Sequence, residues 1–186
     1  MMKFKLFAVL FVFGFAGCSV PADRFAVPAP PVAGQERMAF SSLEVRKVSL
    51  PTYALSDEIS VQTEDGRLLT YGTALWADAP ERAIALELSR HLAQITRARV
   101  ASEPWPFEAF PQARLDVRFE SLLARADGQF EAKGQYFVAV DEGRERSGLF
   151  NLTVPYDVTA GPSAIAAARG QIVLDLARYI LRDGLR

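Results

Sequence analysis

Metal and disulfide chemistry have little to work with in this chain, which holds one cysteine, Cys18, and one histidine, His91. A structural zinc site draws on several Cys or His ligands, so none is expected. A lone thiol closes no internal disulfide, and stability has to come from packing. A basic excess is missing too: 21 Lys and Arg stand against 22 Asp and Glu, a formal net charge of −1. That balance argues against nucleic-acid binding, which needs a basic patch. No apolar run reaches the roughly 20 residues of a membrane-crossing helix. The spacings G-x-S-x-G, H-E-x-x-H and the P-loop are all absent, so neither an enzyme nor a cofactor is expected.

What is present begins at the N-terminus. Lys3 and Lys5 precede an apolar run from Leu6 to Phe15, and small residues lead from there into the cysteine as Phe15-Ala16-Gly17-Cys18. This is the layout of a secretory signal, with a charged start, a short hydrophobic region and a small-residue cleavage site. Ala16 and Gly17 leave the backbone open to a peptidase, and a thiol directly after them suits lipid attachment, so the stretch resembles a bacterial lipobox. Cleavage makes Cys18 the first residue, carrying a diacylglycerol and a further acyl chain. The alternative is an ordinary signal peptide with Cys18 as a bystander. In enterobacteria an Asp after such a cysteine typically marks inner-membrane retention, so by that resemblance Ser19 points to the outer membrane, facing the periplasm. Loss of Lys3 and Lys5 takes the net charge to −3.

Residues 1–17 are thus read as a signal peptide, 18–37 as a lipidated N-terminus with a Pro-rich tether, and 38–186 as a single domain. The body is large enough for one core, since the chain is 50% hydrophobic and 23% charged. Prolines between Ser19 and Arg37 preclude a helix and favour extended backbone, although residues 25–27 could pair as an edge strand. Leu43, Val45, Val48 and Leu50 mark a first strand ended by Pro51. Ile59 and Val61 mark a second, and after the Asp65-Gly66 turn Arg67 to Tyr71 returns as the second arm of a hairpin. A helix is predicted over 79–96, with Asp78 as N-cap, Pro80 in the first turn and Glu81 completing a capping box. Its stripe is Ile84, Leu88, Leu92 and Ile95, broadened by Leu86 and Ala93, with Glu81, Arg82, Glu87 and Arg90 off it. A short strand surrounds Val100. Leu115, Val117 and Phe119 open an antiparallel meander that continues through the strands carrying Tyr136 and Phe150. A second helix runs from Pro162 to Arg182, with Ile165, Ala168, Ile172, Leu176, Tyr179 and Ile180 inward, Arg169, Asp175, Arg178 and Asp183 outward, and Gly184 beyond its end.

Few residues offer chemistry. His91 has no nucleophile or carboxylate at a recognisable spacing and reads as a core or boundary histidine. Asp116, Glu120 and Glu131 alternate with apolar strand residues, as on a solvated face. Trp76 reads as core. The better candidate is the proline-punctuated loop from Glu103 to Pro111, whose rings, Trp105, Phe107 and Phe110, either close one end of the core as a lid or stand free for a partner.

In order and spacing, the lipobox, Val48-Ser49-Leu50-Pro51-Thr52-Tyr53, Trp76-Ala77-Asp78-Ala79-Pro80 opening the first helix, Pro104-Trp105 before Leu115-Asp116-Val117, and the closing helix resemble the PqiC (YmbA-like) family. These are ABC-type transport auxiliary lipoproteins that serve MCE-type intermembrane lipid transport. The resemblance implies an α/β fold with a mixed, largely antiparallel sheet and two long helices packed on it, of the kind likened to TolB N-terminal or anticodon-binding domains. It also implies a role beside an MCE-domain protein and its transporter complex at the outer membrane, with a homo-oligomer as a further expectation. An envelope-assembly lipoprotein that binds peptidoglycan or an outer-membrane component is the alternative.

Overall fold

The computed structural model describes residues 21–186. The leader and Cys18 therefore lie outside the described residues. Eight strands and two long helices follow in the order β1 (Asp23–Phe25), β2 (Ser42–Val45), β3 (Glu58–Gln62), β4 (Leu68–Trp76), α1 (Pro80–Thr96), β5 (Arg99–Ser102), β6 (Ala113–Arg125), β7 (Gln129–Val140), β8 (Arg146–Pro155) and α2 (Pro162–Gly184).

β6 organises the sheet. One edge carries β7 and then β8, both antiparallel, in the expected meander. The other edge is shared. β2 pairs parallel with the start of β6, Leu43 opposite Ala113, and β3 pairs parallel with its end, Val61 opposite Ala124. β2 in turn carries β5, and β3 carries β4, which takes β1 along its last three residues. The sheet is therefore mixed, with antiparallel pairing in its longest ladders.

Alternation along the meander decides which side is covered. Leu115, Val117, Ala132, Tyr136, Val138 and Phe150 are buried on one side, while Arg118 and Glu120 face solvent. α1 packs on β2 and β5, α2 on β7 and β8, and the helices on each other. Ile84, Leu88, Leu92 and Ile95 are all buried, as their spacing predicts. Gly148 and Gly184 leave room for the Tyr136 ring: a Cβ on either would lie 2.5–2.6 Å from its atoms.

Several expectations are corrected. Asp78 does not cap α1. Ala79 is the N-cap and is extended, as a residue before proline prefers; Asp78 accepts from the Ala79 N–H and pairs with Arg82 one turn on. Leu86 is exposed and Glu87 is buried, the reverse of the predicted assignment. Arg169 is also buried rather than outward. Asp183, read as facing outward, accepts a hydrogen bond from the Tyr136 hydroxyl. Gly184 belongs to α2 instead of following it.

The Pro-rich segment is extended but, from Asp23 onward, is no free tether. Its start pairs as β1, two residues ahead of the 25–27 stretch that could have done so, and Ala77 N–H donates to Phe25 O at 3.0 Å. It then crosses α2 at Gly170, where a Cβ would lie 2.5 Å from Pro28 O. Val27 and Val32 pack against the core. At the far end Glu36 pairs with Arg182 and Arg186, and its N–H donates to Ile95 O at 3.0 Å. Apolar contacts along α2 give this segment enough to bury that it lies down as a strap.

Candidate partner-docking surface

The Glu103–Pro111 loop joins β5 to β6, and both of its ends are tied to β2, the strand between them. Glu103 N–H donates to Val45 O at 2.8 Å, and the Glu103 carboxylate accepts from Lys47 N–H at 3.1 Å. At the other end Gln112 accepts from Ser41 N–H at 2.7 Å, while its own N–H donates to the Ser42 hydroxyl at 3.0 Å. Between these ties the loop supports itself. Trp105 Nε1–H donates to Ala109 O at 2.7 Å, its ring meets Phe107 edge-to-face at 4.9 Å, and the Arg99 guanidinium covers Phe107 at 5.1 Å.

None of the three rings belongs to the core cluster, and Phe110 is 80% exposed. Of the two readings open for this loop, a lid would have buried them. Trp105 is half-buried and acts as the internal brace that leaves Phe107 and Phe110 presented.

The other candidates resolve differently. Asp116 and Glu120 lie on the solvent side of the sheet, and Asp116 is bridged by Arg118 at 3.0 Å. Glu131 shares that side but is buried, because Ser121, Arg125 and Lys133 surround it at 2.9–3.3 Å. Burial alone would raise its carboxyl pKa; these partners outweigh burial and hold it below the ordinary carboxylate value. His91 is buried in α1 with neither ring nitrogen hydrogen-bonded. Burial, with the Arg90 and Arg178 charges adding to it, pushes its pKa down to about 4. Among the described residues, no three His, Cys, Asp or Glu side chains gather as metal ligands would.

One group was misplaced by sequence reasoning, which read it as a solvated charge. Arg169 of α2 is 2% exposed, its guanidinium lying over the Trp76 ring at 4.6 Å and 3.5 Å from the buried Glu87 carboxylate of α1. No hydrogen bond links the two charges, and Arg169 Nε and Nη2 and Glu87 Oε2 are all unpartnered. Burial raises the Glu87 carboxyl against the pull of Arg169, and it lowers the guanidinium, which stays charged from its very high starting value. A cavity of about 30 Å³ beside Arg169, also lined by Tyr53, Trp76 and Phe130, has room for no more than about two waters. A signal was available: Ala166 and Val173 stand three before and four after Arg169, so the apolar surface of α2 is wider than the single stripe of a helix covered on one side.

The site is thus an exposed, braced aromatic loop at one end of a mixed sheet. The chain belongs to the family of ABC-type transport auxiliary lipoprotein components, whose model matches residues 25–181. Among curated proteins no sequence match is found. Solved structures share the fold. One is protein XCC0632 from Xanthomonas campestris, of family DUF330, at 17% identity and TM-score 0.66, covering 87% of this chain and 96% of that one. Another, a crystal structure of an uncharacterized protein, aligns at 18% identity and TM-score 0.67, covering 82% and 98%. A PelC dodecamer from Paraburkholderia phytofirmans aligns at only 12% identity and TM-score 0.44, over 86% and 96% of the two chains, and carries no argument here.

Two outcomes follow from the buried charges. Arg169→Ala should cost about 3–5 kcal/mol, since it strands Glu87, whereas Arg169→Met combined with Glu87→Leu should be near neutral; urea midpoints of both variants decide. Between the unfolded histidine value of about 6.5 and the folded value of about 4, the unfolded chain binds the extra proton. His91 stability is therefore present above about pH 6.5 and is lost as pH falls towards 4. The raised Glu87 carboxyl works in the opposite sense, so the difference between wild type and His91→Leu isolates the histidine. In thermal melts from pH 7 to 4, the melting temperature of His91→Leu should fall less on acidification than that of the wild type.

Proposed function

We propose that the protein is a non-enzymatic outer-membrane lipoprotein of an MCE/ABC-type intermembrane lipid transport system. Acylated Cys18 anchors it on the periplasmic side, and the loop carrying Trp105, Phe107 and Phe110 docks the periplasmic MCE-domain protein. Membership of the auxiliary lipoprotein family supports the transport setting. No described helix is long and apolar enough to cross a membrane, so a covalent lipid is the attachment that suits the chain.

The observation that carries the docking role is Phe110, a ring 80% exposed at the crest of a loop fixed at both ends. Burying a side chain of that size against a partner is worth about 1.5–3 kcal/mol, and little loop entropy opposes it, because the Trp105 hydrogen bond and the Arg99 stack already order the loop. Phe107, also exposed, extends the same surface.

The test is co-purification of the tagged, lipidated chain with its transporter partners. Phe107→Ala with Phe110→Ala should sharply reduce recovery of the MCE protein while stability stays within about 0.5 kcal/mol, the usual range for surface changes. Full recovery by the variant, or no MCE component with the wild-type chain, contradicts the proposal.

A further inference from the structure

β4 outruns the core. Burial begins only at Ala74, and residues 68–73 are exposed. Among the described residues nine large hydrophobic side chains are exposed, and three of them, Leu68 at 38%, Leu69 at 50% and Tyr71 at 40%, fall within four positions of this strand. Val61 stands directly across from Leu69 in β3, so it shares a side with Leu69 and Tyr71. β1 covers the β4 edge only at 74–76. Val158, also exposed, lies beside the Gly128 turn that closes the same end of the sheet, the end at which β3 meets Arg125.

The direction of the strap says what this arm faces. β1 runs parallel to β4 with Asp23 beside Ala74, so the chain preceding Asp23 approaches from the Leu68 side. Cys18 is five positions before Asp23, and Leu69 is five positions before Ala74; extended, either stretch spans about 17 Å. There is no slack after Asp23, because Arg24 Nη1 donates to Trp76 O at 3.1 Å and the Phe25 carbonyl is held by Ala77. An anchor at Cys18 therefore allows the bilayer to lie at the level of Leu68 and Leu69.

The geometry points to residues 68–71 of the β3–β4 hairpin, with Leu69 and Tyr71 on one side of the strand and Leu68 on the other, as a membrane-contacting tip that enters the headgroup region of the leaflet holding the anchor. This rests on the reading of Cys18 as acylated. Two leucines supply apolar area, and Tyr71 has the amphipathic ring suited to a membrane interface. The acyl chains at Cys18 already meet the requirement for stable attachment, so what this arm adds is the orientation of the body against the leaflet. The turn favours a zwitterionic phospholipid surface over an anionic one: Asp65 is engaged by Thr63 and by Arg67 at 2.7 Å, which leaves Glu64 as the turn's one charge without a partner among the described residues.

The chain has no cysteine besides Cys18, so Leu69→Cys in the full-length acylated protein gives one free thiol for a fluorescent label. The labelled protein is placed in phosphatidylcholine vesicles with brominated acyl chains. Glu142→Cys, in the exposed turn between β7 and β8 at the opposite end of the sheet, is the control. The label at position 69 should be quenched several-fold more strongly than the control, with Leu68→Cys behaving likewise, as side chains entering the headgroup region would. Matching melting curves for the variants exclude unfolding. Equal quenching at 69 and 142 in protein that partitions into detergent overturns the membrane face alone. Protein that partitions into water overturns the acylated-Cys18 reading and this face with it. A label at 69 that is unquenched but crosslinks to a second copy or another protein shows that the arm docks protein instead.

Discussion

The Arg169 guanidinium, buried where α2, α1 and the end of β4 meet, is the interaction from which the arrangement of the N-terminus follows. It stacks on Trp76 and faces Glu87 across 3.5 Å, so one α2 side chain sets the spacing of three elements. Trp76 is also where the strap begins, since its carbonyl accepts from Arg24 and the next residue, Ala77, donates to Phe25. A buried pair of this kind is weak evidence for stability and better evidence for a fixed register. What it fixes here is the entry of the chain into the fold.

From that point the strap runs along α2, over Gly170, to the Glu36 ion pairs with Arg182 and Arg186. β6 converts this fixed entry into an orientation. The hairpin arm lies at the end of the sheet where β6 finishes, and the aromatic loop lies where β6 starts. Thirteen residues of strand place these ends about 40 Å apart. Under the attachment proposed for Cys18, Phe107 and Phe110 stand at the end of the sheet away from the anchor, which is what the proposed docking role requires. A freely swinging tether would allow reach without direction; a strapped one gives direction.

Much of this was legible in the residues, and the misplaced helix charges share a physical cause. Period-two and period-3.6 patterns found the meander and both helices, because their stripes face a core that buries one side. The loop rings were picked out by the prolines around them. The patterns failed where burial comes from a second direction. Arg169 and Glu87 looked outward because a charge on a helix is normally solvated, yet both helices are covered on more than one side, α2 by the strap as well as the sheet. The strap read as a tether because proline forbids a helix, and proline says nothing about whether an extended chain finds a surface. Leu68, Leu69 and Tyr71 passed as an ordinary second hairpin arm, since nothing in an apolar strand segment tells whether the core extends far enough to cover it.

The account depends above all on what Cys18 carries. The most direct measurement is the intact mass of the mature chain extracted from membranes, with fragmentation of its N-terminal peptide. The expected result is a chain that begins at Cys18 and bears a diacylglycerol and a further acyl chain. A chain that begins elsewhere, or an unmodified Cys18 thiol, would contradict it.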